Sequence, residues 1–260
     1  EQWRDAFYIF LQNIFHIAPT SLFHSMIWDM VDEYPTDREI YESIQKNITT
    51  IQPFLANLRY GIPALYKQKN EMASQTKQLL WENKRAVYNG YLEIWGTGRY
   101  IRPISDVISI EWPQYLLSDE PIDYTPVRIA ERGQIALYNT RALTYSVGDL
   151  AHISDNSLDM ITIFIGLHHA PEEILSDFLN ALSRKLRKGG ILLLWEHDVT
   201  DSLVHNFVAV AHDIYNAGTG ISWTQNESEL RNFRSIDEWK EMLSQYGIHP
   251  QGWELLQLHD

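Results

Sequence analysis

Two short segments gather titratable side chains, and each follows an apolar run: Gly166-Leu167-His168-His169 after Leu158 to Ile165, and Glu196-His197-Asp198 just after Ile191 to Leu194. Imidazole titrates nearest neutrality, so these histidines suit the removal of a proton from an attacking hydroxyl or protonated amine. His197 and Asp198 are the first pair to consider, with His169 as the third catalytic candidate. Neighbours in sequence need not touch, so a shared rim is expected rather than a dyad. Asp198 or Asp201 is also suited to cap a helix beginning near residue 201. His212-Asp213 falls within a helical pattern and reads as a surface or core position. Imidazoles at 169, 197 and 212 with nearby carboxylates suit several divalent ions. No group has a metal-motif spacing such as HExxH, so no metal centre is expected. Cysteine is absent, which excludes disulfides, thiolate ligands and a Cys nucleophile.

Both segments need elements that hold them. Leu158 to Ile165 is apolar and rich in β-branched residues, bounded by Asp155-Asn156 and by Gly166. That pattern predicts a strand buried on both faces of a parallel sheet. Pro171 and Glu172 open a helix, because proline and acids suit a first turn. Ile174, Leu175, Phe178, Leu179, Leu182 and Leu186 recur at helical spacing, Lys185, Arg187 and Lys188 fall in the last turn, and Gly189-Gly190 is expected to stop the helix. Ile191 to Leu194 is the next strand. A strand–helix–strand unit of this kind crosses over right-handed.

The run from Gly148 to Asp198, with GD, SLDMI, GLHH and a basic helix leading into KGGILLLWE, resembles the second half of a class I S-adenosylmethionine (SAM)-dependent methyltransferase. The resemblance extends over about residues 88 to 258. It implies an α/β fold: a Rossmann-like, mostly parallel sheet with helices on both faces. In that family an acid after the third strand meets the adenine, which corresponds to Asp149, followed here by Leu150. The fourth strand ends beside the methyl donor, which puts Gly166, Leu167, His168 and His169 at the reaction centre, with His168 lining the cofactor. The family's sheet also carries an antiparallel seventh strand, for which no counterpart is found by residue 260.

Asn89-Gly90 reads as a turn and Tyr91 to Ile94 as the first strand. The family places an acid at this strand's end, then a GxGxG loop whose glycines admit the cofactor. Glu93 fits the acid, and Trp95, Gly96, Thr97 and Gly98 occupy the loop. The glycines match only with one residue inserted, and Tyr100 then takes the third place. Gln114 to Ser118 reads as the second strand, ending at Asp119, a carboxylate able to accept both ribose hydroxyls. Glu93 and Asp119 stand further apart than the roughly 20 positions of the related dinucleotide pattern, and an irregular insertion over 103–113 accounts for the difference. Pro126 to Gln134 reads as a short helix, Ala142 to Val147 as the third strand, Leu203 to Tyr215 and Ile236 to Tyr246 as helices, and Trp253 to Leu258 as a strand.

Residues 1–88 read as a helical lid or bundle, and 89–260 as the methyltransferase domain. Trp3, Phe7, Phe10, Leu11 and Ile14 make one apolar stripe; Leu22, Met26, Ile27 and Met30 make a second. Thr36 to Glu39 resembles a capping box, Pro53 and Pro63 mark boundaries or kinks, and Ala73 to Tyr88 reads as a further helix. Acids outnumber bases 34 to 21, a net charge of −13 that repels phosphate backbones and argues against a nucleic-acid partner. No apolar run reaches the length of a membrane span, and no signal-peptide pattern is found at the N-terminus, so a cytoplasmic location is expected. The expected activity is methyl transfer from SAM to oxygen or nitrogen of a small molecule. The rivals are a non-catalytic scaffold with an altered glycine loop and a metal-dependent hydrolase or lyase on a similar core.

Overall fold

The computed structural model describes residues 7–8, 20–51, 62–83, 85–118, 122, 124–126, 129, 132–133, 140–144 and 147–255. The chain divides into two compact units: residues 1–66, 199–231 and 257–260 form one, and residues 67–198 and 232–256 the other.

In chain order the described elements are α1 (Thr20–Glu33), α2 (Asp37–Ile51), α3 (Ile62–Leu80), β1 (Val87–Ile94), α4 (Ile101–Val107), β2 (Ser109–Ser118), β3 (Thr140–Thr144), β4 (Leu158–Phe164), α5 (Glu172–Lys185), β5 (Leu186–Trp195), α6 (Ser202–Thr219), α7 (Trp223–Ser228) and α8 (Ile236–Gln245). In the first unit α1, α2 and α6 bury Phe23, Met26, Ile27, Tyr41, Ile44, Ile48, Ile214 and Ala217 together with Phe7. On α1, Met26 and Ile27 are buried and Met30 packs beside them as the sequence pattern expects, whereas Leu22 is exposed and Phe23 is buried in its stead. Thr36 and Glu39 form the expected cap, with the Glu39 N–H donating to Thr36 Oγ1 at 3.3 Å. Asp201 caps α6 by accepting from the Leu203 and Val204 N–H groups, and Gly220 ends that helix at φ 88°. A single cut at residue 88 does not describe this division. Residues 199–231, after the last strand, join the N-terminal helices because α6 shares their apolar core.

The second unit holds one five-stranded sheet in the order β3-β2-β1-β4-β5. Every neighbouring pair is parallel. Side chains alternate between its faces with the strand period of two. Leu92, Ile94, Ile161 and Ile163 point to the face covered by α5 and α8, through Phe178, Leu179, Leu182, Trp239 and Leu243. Tyr91, Leu116 and Met160 point to the opposite face, against Ile101 and Ile104 of α4 and Met72 and Leu80 of α3. The chain runs outward from β1 to β3, then returns to place β4 on the other side of β1. The ends of β1 and β4 therefore flank the point where strand order reverses, the place where open α/β sheets bind ligands.

Several local expectations change. The basic stretch after α5 does not extend the helix: the helix stops at Lys185 and β5 begins at Leu186. Residues 187–190 bulge, since Leu158 pairs with Leu186 but Met160 pairs with Ile191. Arg187 donates to Asn89 O at 2.8 Å and lies 3.3 Å from Asp159, which also pairs with Arg85 at 2.8 Å. These cations therefore clamp the sheet's N-terminal edge. Asn89-Gly90 is a register irregularity within β1 rather than a turn. A Cβ on Gly90 would lie 2.3 Å from Ser157 O, so only glycine allows that approach. Helix α3 ends at Leu80, and Val87 and Tyr88 already belong to β1. Pro63 sits in the first turn of α3, where its missing N–H costs nothing. The stretch over 103–113 is α4 and the start of β2 instead of an irregular insertion. Residues 253–255 are not in a strand, and 256–258 lie outside the described residues. Pro53 and most of the expected helix at 126–134 lie outside them as well. No helix among the described residues is long and apolar enough to cross a membrane.

Candidate active site at the ends of β1, β4 and β5

Glu93 is the next-to-last residue of β1, and its side chain turns away from the α5–α8 core occupied by Leu92 and Ile94. The carboxyl is 1% exposed, and its Oε1 accepts the Gly98 N–H at 3.1 Å. Burial pushes its pKa up to about 7, against the lowering pull of the Arg99 charge and the loop N–H groups. A Cβ at Gly96 would fall 1.9 Å from Glu93 Oε1. The loop can lie over the carboxyl only because residue 96 has no side chain. Gly98 adopts φ 79°, the left-handed conformation that glycine takes without penalty. Thr97 Oγ1 accepts from Arg99 Nε at 3.3 Å.

Trp95 stands where the family pattern has glycine, and the structure turns its indole into the sheet's core. Its ring centroid lies 5.2 Å from that of Phe178 on α5. The backbone at Trp95 is left-handed, φ 55°, and its N–H is held by Leu117 O at 2.9 Å. Directly across the switch point, a Cβ on Gly166 would come 3.1 Å from Trp95 Cβ and 3.2 Å from its Cε3. Gly166 and Trp95 thus form one packing unit between the ends of β1 and β4.

The end of β4 is tied to the end of β5 by Glu196. Its Oε1 accepts the Gly166 N–H at 3.0 Å and the Leu167 N–H at 2.6 Å, and its Oε2 meets His168 Nδ1 at 2.6 Å. Burial raises the Glu196 pKa, but the bonds from His168 and the two N–H groups outweigh it and hold the carboxyl below its usual value. His168 is fully buried, with its ring centroid 4.1 Å from His169, 5.4 Å from His197 and 5.1 Å from Phe233. Asn232 closes this side: its N–H donates to His168 O and its amide to Ala170 O, both at 2.8 Å. The sequence places Glu196 with His197 and Asp198 after the strand at Ile191 to Leu194 but gives it no role of its own. Its position after a buried strand was the only signal, and nothing in the sequence reports the three donors it gathers.

His169 and His197 are half-buried. Asp198 is exposed and accepts the Ile236 N–H at 3.0 Å, which gives it a helix-capping task at the start of α8. Leu150 points into the α5-side core. Asp149 lies in a 3₁₀ turn over Val147–His152, the one that carries Leu150. The Asp149 side chain and all of Asp119 lie outside the described residues. Glu93, Trp95, Gly96, Thr97, Gly98 and Gly166 therefore meet around the β1–β4 switch point, with His168, His169, Glu196 and His197 beside them at the ends of β4 and β5.

Similarity to known proteins covers the same region. Residues 96–194 match the family described as Methyltransferase domain. No curated protein matches the chain. Among solved structures, the CurJ carbon methyltransferase superposes with a TM-score of 0.50 at 14% identity, covering 95% of this chain and 63% of that one. A chain from the complex between the Haloferax volcanii Trm112 methyltransferase activator and a methyltransferase gives 0.48 at 16% identity, over 72% of this chain and 73% of that one. The mitomycin 7-O-methyltransferase MmcR gives 0.46 at 14%, over 86% of this chain and 55% of that one. The CurJ likeness concerns the fold, and the domain match runs from the glycine loop after β1 through β5. Residues 96–194 are thus similar to a methyltransferase domain, on a fold shared with the CurJ carbon methyltransferase.

Proposed function

We propose that this chain is a SAM-dependent methyltransferase that acts on an oxygen or nitrogen of a small molecule. SAM, when bound, supplies a methyl group already activated on a sulfonium, so the protein's own work is alignment, water exclusion and proton removal. The residues present fit such a cofactor: Glu93 lies beneath a loop whose Gly96 and Gly98 keep side chains off its backbone. Glu93, Gly96, Thr97, Gly98, Asp119 and Asp149 would hold the cofactor. Trp95 would support the loop from the core, and Leu150 would support the Asp149 turn. Gly166 would form the wall of the crevice, packed on the Trp95 indole. The observation that carries the choice of nucleophile is the histidine cluster at the ends of β4 and β5, with His169 and His197 half-buried there. His197 takes the proton from the substrate hydroxyl or ammonium, with His169 as the alternative acceptor. The net charge of −13 favours a small substrate over a polyanion.

The test is His197→Ala, with SAM affinity and turnover measured separately across a panel of phenols, alcohols and amines. Affinity is expected to stay while turnover drops about 10²-fold or more. Equal losses in both would make His197 a cofactor or structural residue. Transfer to carbon alone would overturn the assignment to oxygen or nitrogen.

A further inference from the structure

Glu196 carries three contacts that no role assigned so far requires. It is the first residue after β5, and its carboxylate is 1% exposed. One oxygen takes the N–H groups of Gly166 and Leu167, which fixes the backbone at the moment it leaves β4. That backbone includes Ile165 in a left-handed conformation, φ 51°, which a β-branched residue adopts only when its surroundings enforce it. The other oxygen lies 2.6 Å from Nδ1 of a ring with no exposure. A carboxylate only accepts hydrogen bonds, so at that distance Nδ1 must carry hydrogen. In the neutral ring Nε2 is then the acceptor. The bonds to Glu196 hold it below the usual carboxyl value, consistent with a carboxylate rather than an acid in this pair.

We propose that Glu196 is a positioning residue for methyl transfer: it holds the Gly166–His168 backbone beside the β1–β4 switch point and fixes His168 as its Nδ1–H tautomer. It touches neither cofactor nor substrate. Its effect reaches the site through Gly166, which packs on Trp95, and through the His168 ring, which contacts those of His169 and His197. The clause about methyl transfer rests on the function proposed above; the tautomer does not.

Glu196→Gln separates the two tasks. The carboxamide oxygen can still accept from Gly166 and Leu167, but the amide nitrogen facing Nδ1 is a donor, so His168 must switch to the Nε2–H form. Glu196→Ala removes both tasks. The experiment is ring-nitrogen NMR on the full chain labelled with ¹⁵N-histidine, on the alkaline side of neutrality, with calorimetry and steady-state kinetics on the same samples. The wild type is expected to show His168 protonated at Nδ1, and E196Q to show it protonated at Nε2. E196Q is expected to keep SAM affinity while kcat falls at least about tenfold, as a wrong tautomer does in other acid–base sites. E196A is expected to lose affinity as well as turnover. A wild-type His168 protonated at Nε2 alone would overturn the tautomer assignment, and this spectrum decides it even if E196Q does not fold. Wild-type kcat in E196Q would overturn the link to the reaction. Absence of SAM binding by the wild type would remove the proposed function and the reaction clause with it, while the ring spectra would still decide the Glu196–His168 arrangement.

Discussion

At the scale of single residues the site depends on two placements that the sequence pattern leaves open. Glu93 is an acid kept in a dry place, and its pKa of about 7 has a consequence for stability. Between its ordinary value of 4.5 and about 7, the unfolded chain has released the proton while the folded protein still holds it. Stability therefore falls as pH rises through that window and levels off above it. The loss amounts to roughly 3 kcal/mol at one pKa unit per 1.36 kcal/mol. Glu93→Gln should flatten this slope, and denaturant unfolding across the window would show it; parallel profiles for the two proteins would contradict a buried protonated carboxyl. Trp95 is the other placement. Its indole and Gly166 compete for one space, so Gly166→Ala should destabilise the wild type by about 1–3 kcal/mol through overpacking. In a Trp95→Gly background, which removes the Cβ as well as the ring, the same change should cost much less, a non-additivity that a double-mutant cycle measures. Equal costs in both backgrounds would mean that the two residues do not share that space.

At the scale of elements, the strands were largely legible because buried parallel strands announce themselves as short β-branched runs, as Leu158 to Phe164 does. The turns between elements were not, because glycine marks several different features. Gly189-Gly190 reads as a helix stop, yet the helix ends earlier and the pair sits in a bulge of β5. Only the pairing register reveals this, and register is a property of two strands rather than of one. The two glycines make different predictions. A Cβ on Gly190 would meet two carbonyl oxygens, Arg187 O at 2.9 Å and Leu158 O at 3.0 Å, so Gly190→Ala should cost about 1–3 kcal/mol of unfolding free energy. Gly189 has φ 75° and more space, so Gly189→Ala should cost only the left-handed penalty of about 1–2 kcal/mol. A neutral Gly190→Ala would contradict the bulge. The site shows the same division between legible and hidden. Glu93, Glu196 and the strand-end histidines could be found from position, whereas the three donors that Glu196 gathers become visible only when β4 and β5 lie side by side.

At the scale of the whole molecule, the chain leaves the sheet-bearing unit at Val199 and re-enters it at Asn232, so the helical unit is built from both sides of the site in sequence. Composition cannot show this, because α6 is an ordinary amphipathic helix wherever it packs. The β1–β4 switch point of the sheet is the proposed SAM site. It is tested most directly by calorimetric titration of the full chain with S-adenosylhomocysteine, alongside Asp119→Ala and Asp149→Ala. Saturable binding at one site is predicted, weakened about ten- to a hundredfold in each variant, as expected for losing a hydrogen bond to a charged group worth roughly 1.5–3 kcal/mol. No heat at millimolar ligand, or binding untouched by both substitutions, would contradict the account.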